Sequence, residues 1–320
     1  MTTEVQGIHH VTAIAGDPQA NVNFYVGLLG LRFVKKTVNF DDPGTYHFYY
    51  GDESGSPGTI LTFFPWASYG PKGRRGTGQL TVISFSIPEH TTGYWTERLR
   101  RFNVDFTGPF TRREEDVIVF HDPDGIELEL VSSASDKRQG QDNGYVQPER
   151  AIRGFSGVLL SEENHERTAS LLTTILGFYP VWESDGRFRY ESGSGGPGTI
   201  VDLLHQPTGR LGRMGIGAVH HVAWRTQNDE TQRILRQELV QLGYNVSPVM
   251  DRNYFHSIYF EEPGHVLFEI ATDPPGFTID ERQETLGSRL MLPSWLEKER
   301  ATLERTLPPI HVPAGNPVEV

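Results

Sequence analysis

Alternating apolar and polar residues along this chain are interrupted at regular intervals by stretches of helical period. GIHHVTAI opens the pattern at 7–14, and a helical stretch follows over about 18–29. Three more β-branched and aromatic runs come next: LRFVKKTVNF, TYHFYY and TILTFF. Period two places successive side chains on opposite faces of a strand, whereas period 3.6 gathers i, i+4 and i+7 on one helix face. The stretch therefore predicts a strand, a helix and three strands, a βαβββ unit. A second unit spans 78–131, with QLTVISFSI, a helix over about 91–102, and strands around NVDF, DVIVFHD and IELELV. A third begins at GFSGVLL, with a helix over 164–176 and strands to DLLH. The fourth holds GAVHHVAW, a helix over 229–242 and strands through SIYFEEPGHVLFEIA. In that last helix Leu235, Leu239 and Leu242 share a face, and Gly243 ends the run.

The two halves of the chain are versions of each other. VGLLGLRFV matches TTILGFYPV, which sets Gly30 against Gly177, 147 residues on. SPGTILTFF matches GPGTIVDLL at an offset of 140, and GRRGTG at 73–78 matches GRMGIG at 212–217 at an offset of 139. Three matches in one order indicate a duplication. The polar stretch SSASDKRQGQDNGYVQPERA, 132–151, reads as a linker. The expected fold is α+β: four tandem βαβββ modules forming two similar domains of curved mixed sheets. Residues 1–135 make the N-terminal domain, 150–280 the C-terminal domain and 281–320 a tail. The tail carries one helix, SWLEKERATLERTL, and then PPIHVPAGNPVEV. It reads as a surface strap or frayed end; a cover over the site and an oligomer contact are the sharper alternatives.

Composition narrows the chemistry. At 320 residues and 37% hydrophobic content, the chain has enough apolar material for two domain cores. A formal charge of -12 argues against a nucleic-acid partner, whose phosphates need basic patches. No stretch approaches the ~18 apolar residues of a membrane span. The start, MTTEVQGIHH, shows no basic region followed by an apolar run. Cytoplasmic residence is the expectation. The chain has no cysteine, so any metal must sit on imidazole and carboxylate.

Histidine is placed with a telling asymmetry. His9-His10-Val11 opens the first unit and His220-His221-Val222 opens the fourth. The duplication sets His10 against Gly157 and His221 against Val82, so the repeat does not require histidine for packing. Alternation lets only one histidine of each pair face a given site; the pattern alone does not say which. Two imidazoles and a carboxylate are the facial set of non-haem iron, which leaves positions open for substrate and dioxygen. Glu269 is the carboxylate on offer. It stands among Val266, Leu267, Phe268 and Ile270, where an unpaired charge is costly. Its repeat partner, Glu129 in GIELELV, supports the plainer reading of a position that tolerates a solvated glutamate.

The βαβββ repeat, with histidine in an opening strand and glutamate in a final one, resembles the vicinal oxygen chelate superfamily. From GIHHVTAI through FEIATDPPGF the chain is similar to its hydroquinone-cleaving dioxygenases, the dichlorohydroquinone dioxygenases and MhqO-like quinone-resistance proteins. That resemblance implies metal ligands His10, His221 and Glu269. It implies supporting roles for Arg252 and Tyr259 in DRNYFHSIYFEEPG, and for His9, Thr12 and His220. It implies Fe(II), with Mn(II) as the other metal this set would hold, and a small aromatic substrate cleaved with dioxygen. A homo-oligomer is left open.

Two other functions fit the same fold. A glyoxalase-like isomerase or lyase usually surrounds its metal with four protein ligands, and TILTFF offers no fourth. A non-catalytic binding protein needs no triad. Other signals are discounted: ESGSGGPG at 191–198 precedes a strand, not the helix a phosphate cradle needs. HDPDG reads as a turn, though Asp122 and Asp124 suit a surface cation, and KGRR at 72–75 reads as a solvated connector. Phe63, Phe64, Trp66 and Trp224 read mainly as core.

Overall fold

The computed structural model describes residues 4–67, 70–142 and 144–313. The first unit holds β1 (Ile8–Ala15), α1 (Pro18–Val22) continuing as a π-helical turn over Asn23–Leu28, β2 (Arg32–Asn39), β3 (Asp42–Gly51) and β4 (Ile60–Pro65). The second holds β5 (Gln79–Ile87), α2 (Thr92–Arg101), β6 (Phe106–Arg112), β7 (Glu115–His121) and β8 (Glu127–Ser132). The third holds β9 (Gly154–Glu162), α3 (Glu166–Thr174), β10 (Phe178–Ser184), β11 (Arg187–Ser192) and β12 (Ile200–His205). The fourth holds β13 (Ala218–Thr226), α4 (Asp229–Gln241), β14 (Met250–Asp251), β15 (Phe255–Glu261) and β16 (Leu267–Pro275).

Local chemistry sets the helix ends. Asp17 caps α1 by accepting from the Ala20 amide at 2.7 Å, and Pro18 follows as a residue that needs no partner for its nitrogen. Asn228 caps α4 by accepting from Thr231 N at 3.0 Å. Two expectations shift. NVDF does not form a strand from its start, because Asn103 takes φ +54° to end α2, and β6 begins only at Phe106. Leu242 does not share the buried face of α4: it is the residue just past the helix and is exposed, while Gln232, Leu235 and Leu239 are buried.

The units form two eight-stranded mixed sheets. One runs β14-β15-β16-β13-β1-β4-β3-β2 and joins the first unit to the fourth; the other runs β10-β11-β12-β9-β5-β8-β7-β6 and joins the second to the third. The boundary at 135–150 thus divides the chain, not the sheets, since each sheet draws one unit from each half. In the first sheet β1 and β13 lie antiparallel at the centre, with β4 and β16 parallel beside them. Alternation then sorts the side chains. Val11, Val222, Phe268 and Phe63 join the main core, together with Tyr25, Leu235 and Leu239 from the helical segments. Full burial of each large apolar side chain stabilises by roughly 1.5–3 kcal/mol. Their strand neighbours point to the other face, where Val34, Tyr49, Ile60, Ala223, Phe255 and Phe277 form a second, smaller cluster.

The tail is a strap along the first sheet. Buried Lys35 of β2 reaches Asp280 and Glu281, each at 2.6 Å. The Met291 amide donates to Lys36 O at 2.9 Å, and Leu290, Leu292, Leu296, Leu303 and Leu307 are buried. The predicted tail helix resolves into a 3-10 turn over Glu297–Glu299 and α5 (Arg300–Thr306). Tyr46 Oη donates to Pro308 O at 2.9 Å. The last part of the Pro-rich stretch, 314–320, lies outside the described residues. Among those residues no helix is long and apolar enough to cross a membrane.

Candidate metal centre

The central β1–β13 pair is nearly symmetric about Val11, which faces Val222. His10 pairs with Ala223 and Thr12 with His221, and each histidine pair contains a register break: between Ile8 and His10 in β1, and opposite Thr12 and Ala13 in β13. His9 and His220 are the extra residues. A bulge of this kind re-aims side chains. Here it brings the first imidazole of each pair beside the second. His9 Nδ1 lies 2.9 Å from His10 Nδ1, and His220 Nδ1 lies 2.7 Å from His221 Nδ1.

The second histidine of each pair faces the smaller cluster, where Glu269 of β16 meets both. His10 Nε2 lies 3.3 Å from His221 Nε2 and 3.3 Å from Glu269 Oε2, and His221 Nε2 lies 2.9 Å from Glu269 Oε2. All three residues are buried, and they are the only such group of ligating side chains among the described residues. Bonds of ~2.0–2.2 Å at right angles separate neighbouring ligand atoms by about 3 Å, which is the spacing of this triangle. Glu269 Oε2 is buried yet lacks a hydrogen bond of acceptable direction. It lies within 3.3 Å of both imidazole Nε2 atoms. A divalent cation fits that donor set. Glu269 Oε1 is held separately, by a hydrogen bond from Ser257 Oγ.

Electrostatics favour the metal-binding protonation states. Burial pushes the Glu269 carboxyl up, but His10 and His221 outweigh it and hold the group well below its ordinary value. Burial lowers His221 despite the neighbouring Glu269 carboxylate, which acts to raise it. Burial, then the neighbouring His10, lowers His9 well below the usual imidazole range, and burial, then His221, takes His220 down to about 3. Neutral His9 and His220 can each accept through Nδ1. Each would receive the Nδ1 proton of a ligand whose Nε2 faces a metal, which fixes that ligand's tautomer.

The triad lies at a cavity of about 330 Å³ lined also by Thr12, Phe64, Trp66, His220, Phe255, Tyr259 and Arg252. Arg252 Nε donates to Tyr259 Oη at 3.1 Å, and its Nη1 lies 3.1 Å from Asp41 at the tip of the β2–β3 hairpin. Burial, then Glu269, raises the Tyr259 phenol, so it stays protonated. His9 alone of the eight sequence-predicted residues does not line the cavity: it sits behind His10, against Phe255 at 5.0 Å between ring centres. Phe64 and Trp66 line the cavity, whereas Phe63 and Trp224 are core. A larger cleft of about 710 Å³ near Arg138 and Arg153 contains none of His10, His221 and Glu269. Sequence reasoning missed Ser257, Thr62, His47 and Tyr49. A signal was available for Ser257, which stands two residues before Tyr259 and so shares its face.

The equivalent place in the other sheet is closed. Glu129 is buried, not solvated: it accepts from Ser84 Oγ at 2.7 Å and Arg112 Nη2 at 2.8 Å. Asp202 takes Arg189 Nε at 2.8 Å and Arg187 Nε at 2.7 Å. About 10 Å³ is left between them, no more than one water needs. Gly157, the counterpart of His10, has no room for any side chain, because a Cβ there would fall 2.8 Å from Ile200 O. Asp122 accepts from Tyr25 Oη at 3.0 Å and Asp124 from Gly16 N at 2.9 Å, so HDPDG anchors a turn. Gly193, Gly195 and Gly196 take positive φ between β11 and β12, as a hairpin turn does.

Known proteins are similar to this chain over most of its length. The provisionally named ring-cleaving dioxygenase MhqO of Bacillus subtilis (strain 168) is 48% identical over 98% of this chain and 99% of its own length. The chlorohydroquinone/hydroquinone 1,2-dioxygenase of Sphingobium indicum is 35% identical over 95% of this chain and 96% of its own. A crystal structure of a provisionally named dioxygenase from Bacillus subtilis superposes with a TM-score of 0.93 at 48% identity, covering 98% of this chain and 99% of that one. Glyoxalase I from Zea mays shares the fold, with a TM-score of 0.62 at 16% identity over 83% of this chain and 92% of its own. The family profile described as Glyoxalase/Bleomycin resistance protein/Dioxygenase superfamily matches residues 7–130 and 155–270, and the chain belongs to that superfamily.

Proposed function

We propose that the protein is a ring-cleaving dioxygenase, dependent on Fe(II), that acts on hydroquinone-type aromatics. The observation that carries this reading is the triangle of His10, His221 and Glu269 beside a cavity of single-ring size. The names of the full-length relatives point the same way. Iron(II), with manganese(II) as the alternative, would supply adjacent open positions for a phenolate and dioxygen and pass electron density between them.

The protein's own groups orient the ring. An ortho-diol can grip a metal with two oxygens, whereas a para-diol can use only one, so side chains must hold the rest of it. The Tyr259 hydroxyl accepts from Arg252 and can donate to a substrate oxygen. Arg252 stabilises negative charge as it develops. His220 lines the cavity and can move a proton there. Misplacement by ~1 Å can cost ~100-fold in rate. A glyoxalase-like reaction is disfavoured, because the position symmetric to Glu269 on β4 is Thr62.

The test is anaerobic loading with Fe(II), followed by oxygen uptake with hydroquinones and catechols. The expected result is consumption with at least one hydroquinone. Efficient extradiol cleavage of catechol with no action on any hydroquinone would refute the substrate class and leave the metal site standing.

A further inference from the structure

The approximate twofold through Val11 and Val222 makes a second set of correspondences. Glu269 pairs with Ala223 and with Tyr259; Thr62 pairs with Thr12 and with Tyr49. Thr62 therefore stands where Glu269 stands, Tyr49 where Tyr259 stands, and His47 where Ser257 stands. The arm that builds the metal site uses these positions for a ligand and its support. The other arm fills them with a continuous chain of hydrogen bonds. Tyr49 Oη lies 2.9 Å from His47 Nδ1, His47 Nε2 lies 2.9 Å from Thr62 Oγ1, and Thr62 Oγ1 lies 2.8 Å from Thr12 Oγ1. Tyr49, His47 and Thr12 line the cavity, while Thr62 lies behind it. The chain thus leaves the cavity at Tyr49 and returns to it at Thr12. Thr12 faces the ligand His221 across the β1–β13 ladder.

Every member can both donate and accept. Run one way, the chain has Tyr49 donating to His47 and Thr12 donating into the cavity. Run the other way, Thr12 donates inward and Tyr49 donates to the cavity. The two directions differ by one proton carried from end to end. We infer that Tyr49, His47, Thr62 and Thr12 form a proton relay between two points of the substrate cavity. This rests on the ring-cleaving reading above. A para-diol held by one oxygen has a second hydroxyl away from the ligands. That oxygen can push electron density into the ring only as its proton leaves. Tyr49 Oη takes that proton while its own passes to His47 Nδ1. The His47 Nε2 proton passes to Thr62, that of Thr62 to Thr12, and that of Thr12 to an oxygen atom derived from dioxygen. One proton enters, one leaves, and the chain is restored by rotation of its hydroxyls and a change of tautomer. Tyr49 and Thr12 are the catalytic residues of this step; His47 and Thr62 act through them.

Thr62→Val removes the hydroxyl at nearly constant volume, and Thr62→Ser restores it. His47→Gln keeps a hydrogen-bonding side chain that cannot switch tautomer. All three should hold the parent's amount of iron. With hydroquinone, Thr62→Val and His47→Gln should lose about 100-fold in kcat, with KM within about threefold, and Thr62→Ser should stay within about threefold of the parent. The impaired variants should regain rate as pH approaches the substrate's own ionisation. Parent-like kcat and pH profile in Thr62→Val, or equal losses in the valine and serine variants, would overturn the relay. A second arm needs no turnover. Anaerobic, iron-loaded protein is titrated with hydroquinone and with its monomethyl ether, following tryptophan fluorescence. The parent should bind hydroquinone at least tenfold more tightly, and Tyr49→Phe should remove the preference. Equal binding by the parent sinks the relay. Absence of oxygen uptake by the parent with every hydroquinone sinks instead the functional reading, and the binding arm still decides the relay.

Discussion

Glu269 is the residue on which the metal reading turns. It is fully buried, its Oε1 is fixed by Ser257, and its Oε2 is given over to the point where His10 and His221 converge. Glu269→Gln keeps the volume and the hydrogen bond to Ser257 but removes the only anionic ligand. We expect the variant to fold, with a circular dichroism spectrum like the parent's, and to retain almost no iron after desalting. Ser257→Ala should behave differently. It leaves the ligands in place and frees the carboxylate to rotate, so metal affinity should fall by about 10–100-fold, a loss that excess Fe(II) would restore. Metal content measured at several free-iron concentrations separates the two. A Glu269→Gln protein that binds iron and turns over like the parent would remove Glu269 from the site.

The elements show how far the sequence could be read. Period-two alternation located the strands, and the asymmetry of HHV in the first and fourth units picked out the two strands whose histidines come together with Glu269. Alternation also predicted that the two imidazoles of each pair point apart. In the first pair only His10 lines the cavity, as alternation requires, but His220 and His221 both do, and the register breaks at His9 and His220 bring each first imidazole beside the second. A bulge depends on the partner strand's count of residues, which no single strand reveals. The same limit hid Thr62, His47 and Tyr49, whose importance comes from pairing across β1, β4 and β3. Arg252 illustrates the element scale functionally. It lies just beyond β14, donates to Tyr259 in β15 and reaches Asp41 at the β2–β3 tip, so one guanidinium ties the two arms of the sheet over the cavity. Arg252→Ala should lower hydroquinone turnover by about 100-fold while iron content stays within about threefold of the parent. Loss of iron in parallel with turnover would make Arg252 a support of the metal site, not a group that handles substrate.

At the scale of the molecule, one sheet is open at its centre and the other is closed by Arg112, Arg187 and Arg189 on Glu129 and Asp202. The two sheets meet where Glu162 at the end of β9 faces the β15–β16 turn. There Glu262 accepts from Gly264 N and Val266 N, each at 2.8 Å, and from Thr168 Oγ1 at 2.5 Å. Glu162 is fully buried, and neither of its oxygens has a hydrogen-bond partner among the described residues. Burial, then the charge of Glu262, pushes its carboxyl up to about 8. An acid with a raised value holds its proton in the folded protein at a pH where the unfolded chain has lost it. Its favourable contribution is complete below the ordinary carboxyl range, near ~4.3, and is lost as pH rises through about 8. Between pH 6 and pH 9 the folded protein must therefore either ionise Glu162 beside Glu262 or keep a proton that water would take. Glu162→Gln removes that choice while keeping the shape. The variant should gain stability over the parent by on the order of 1–3 kcal/mol at pH 9, and by much less at pH 6. Urea denaturation of both proteins at the two pH values, with metal removed by chelation so that ligand protonation does not contribute, measures the difference. A gain of equal size at both pH values would show that Glu162 is not protonated in the folded protein at pH 6 and that its burial is relieved by water.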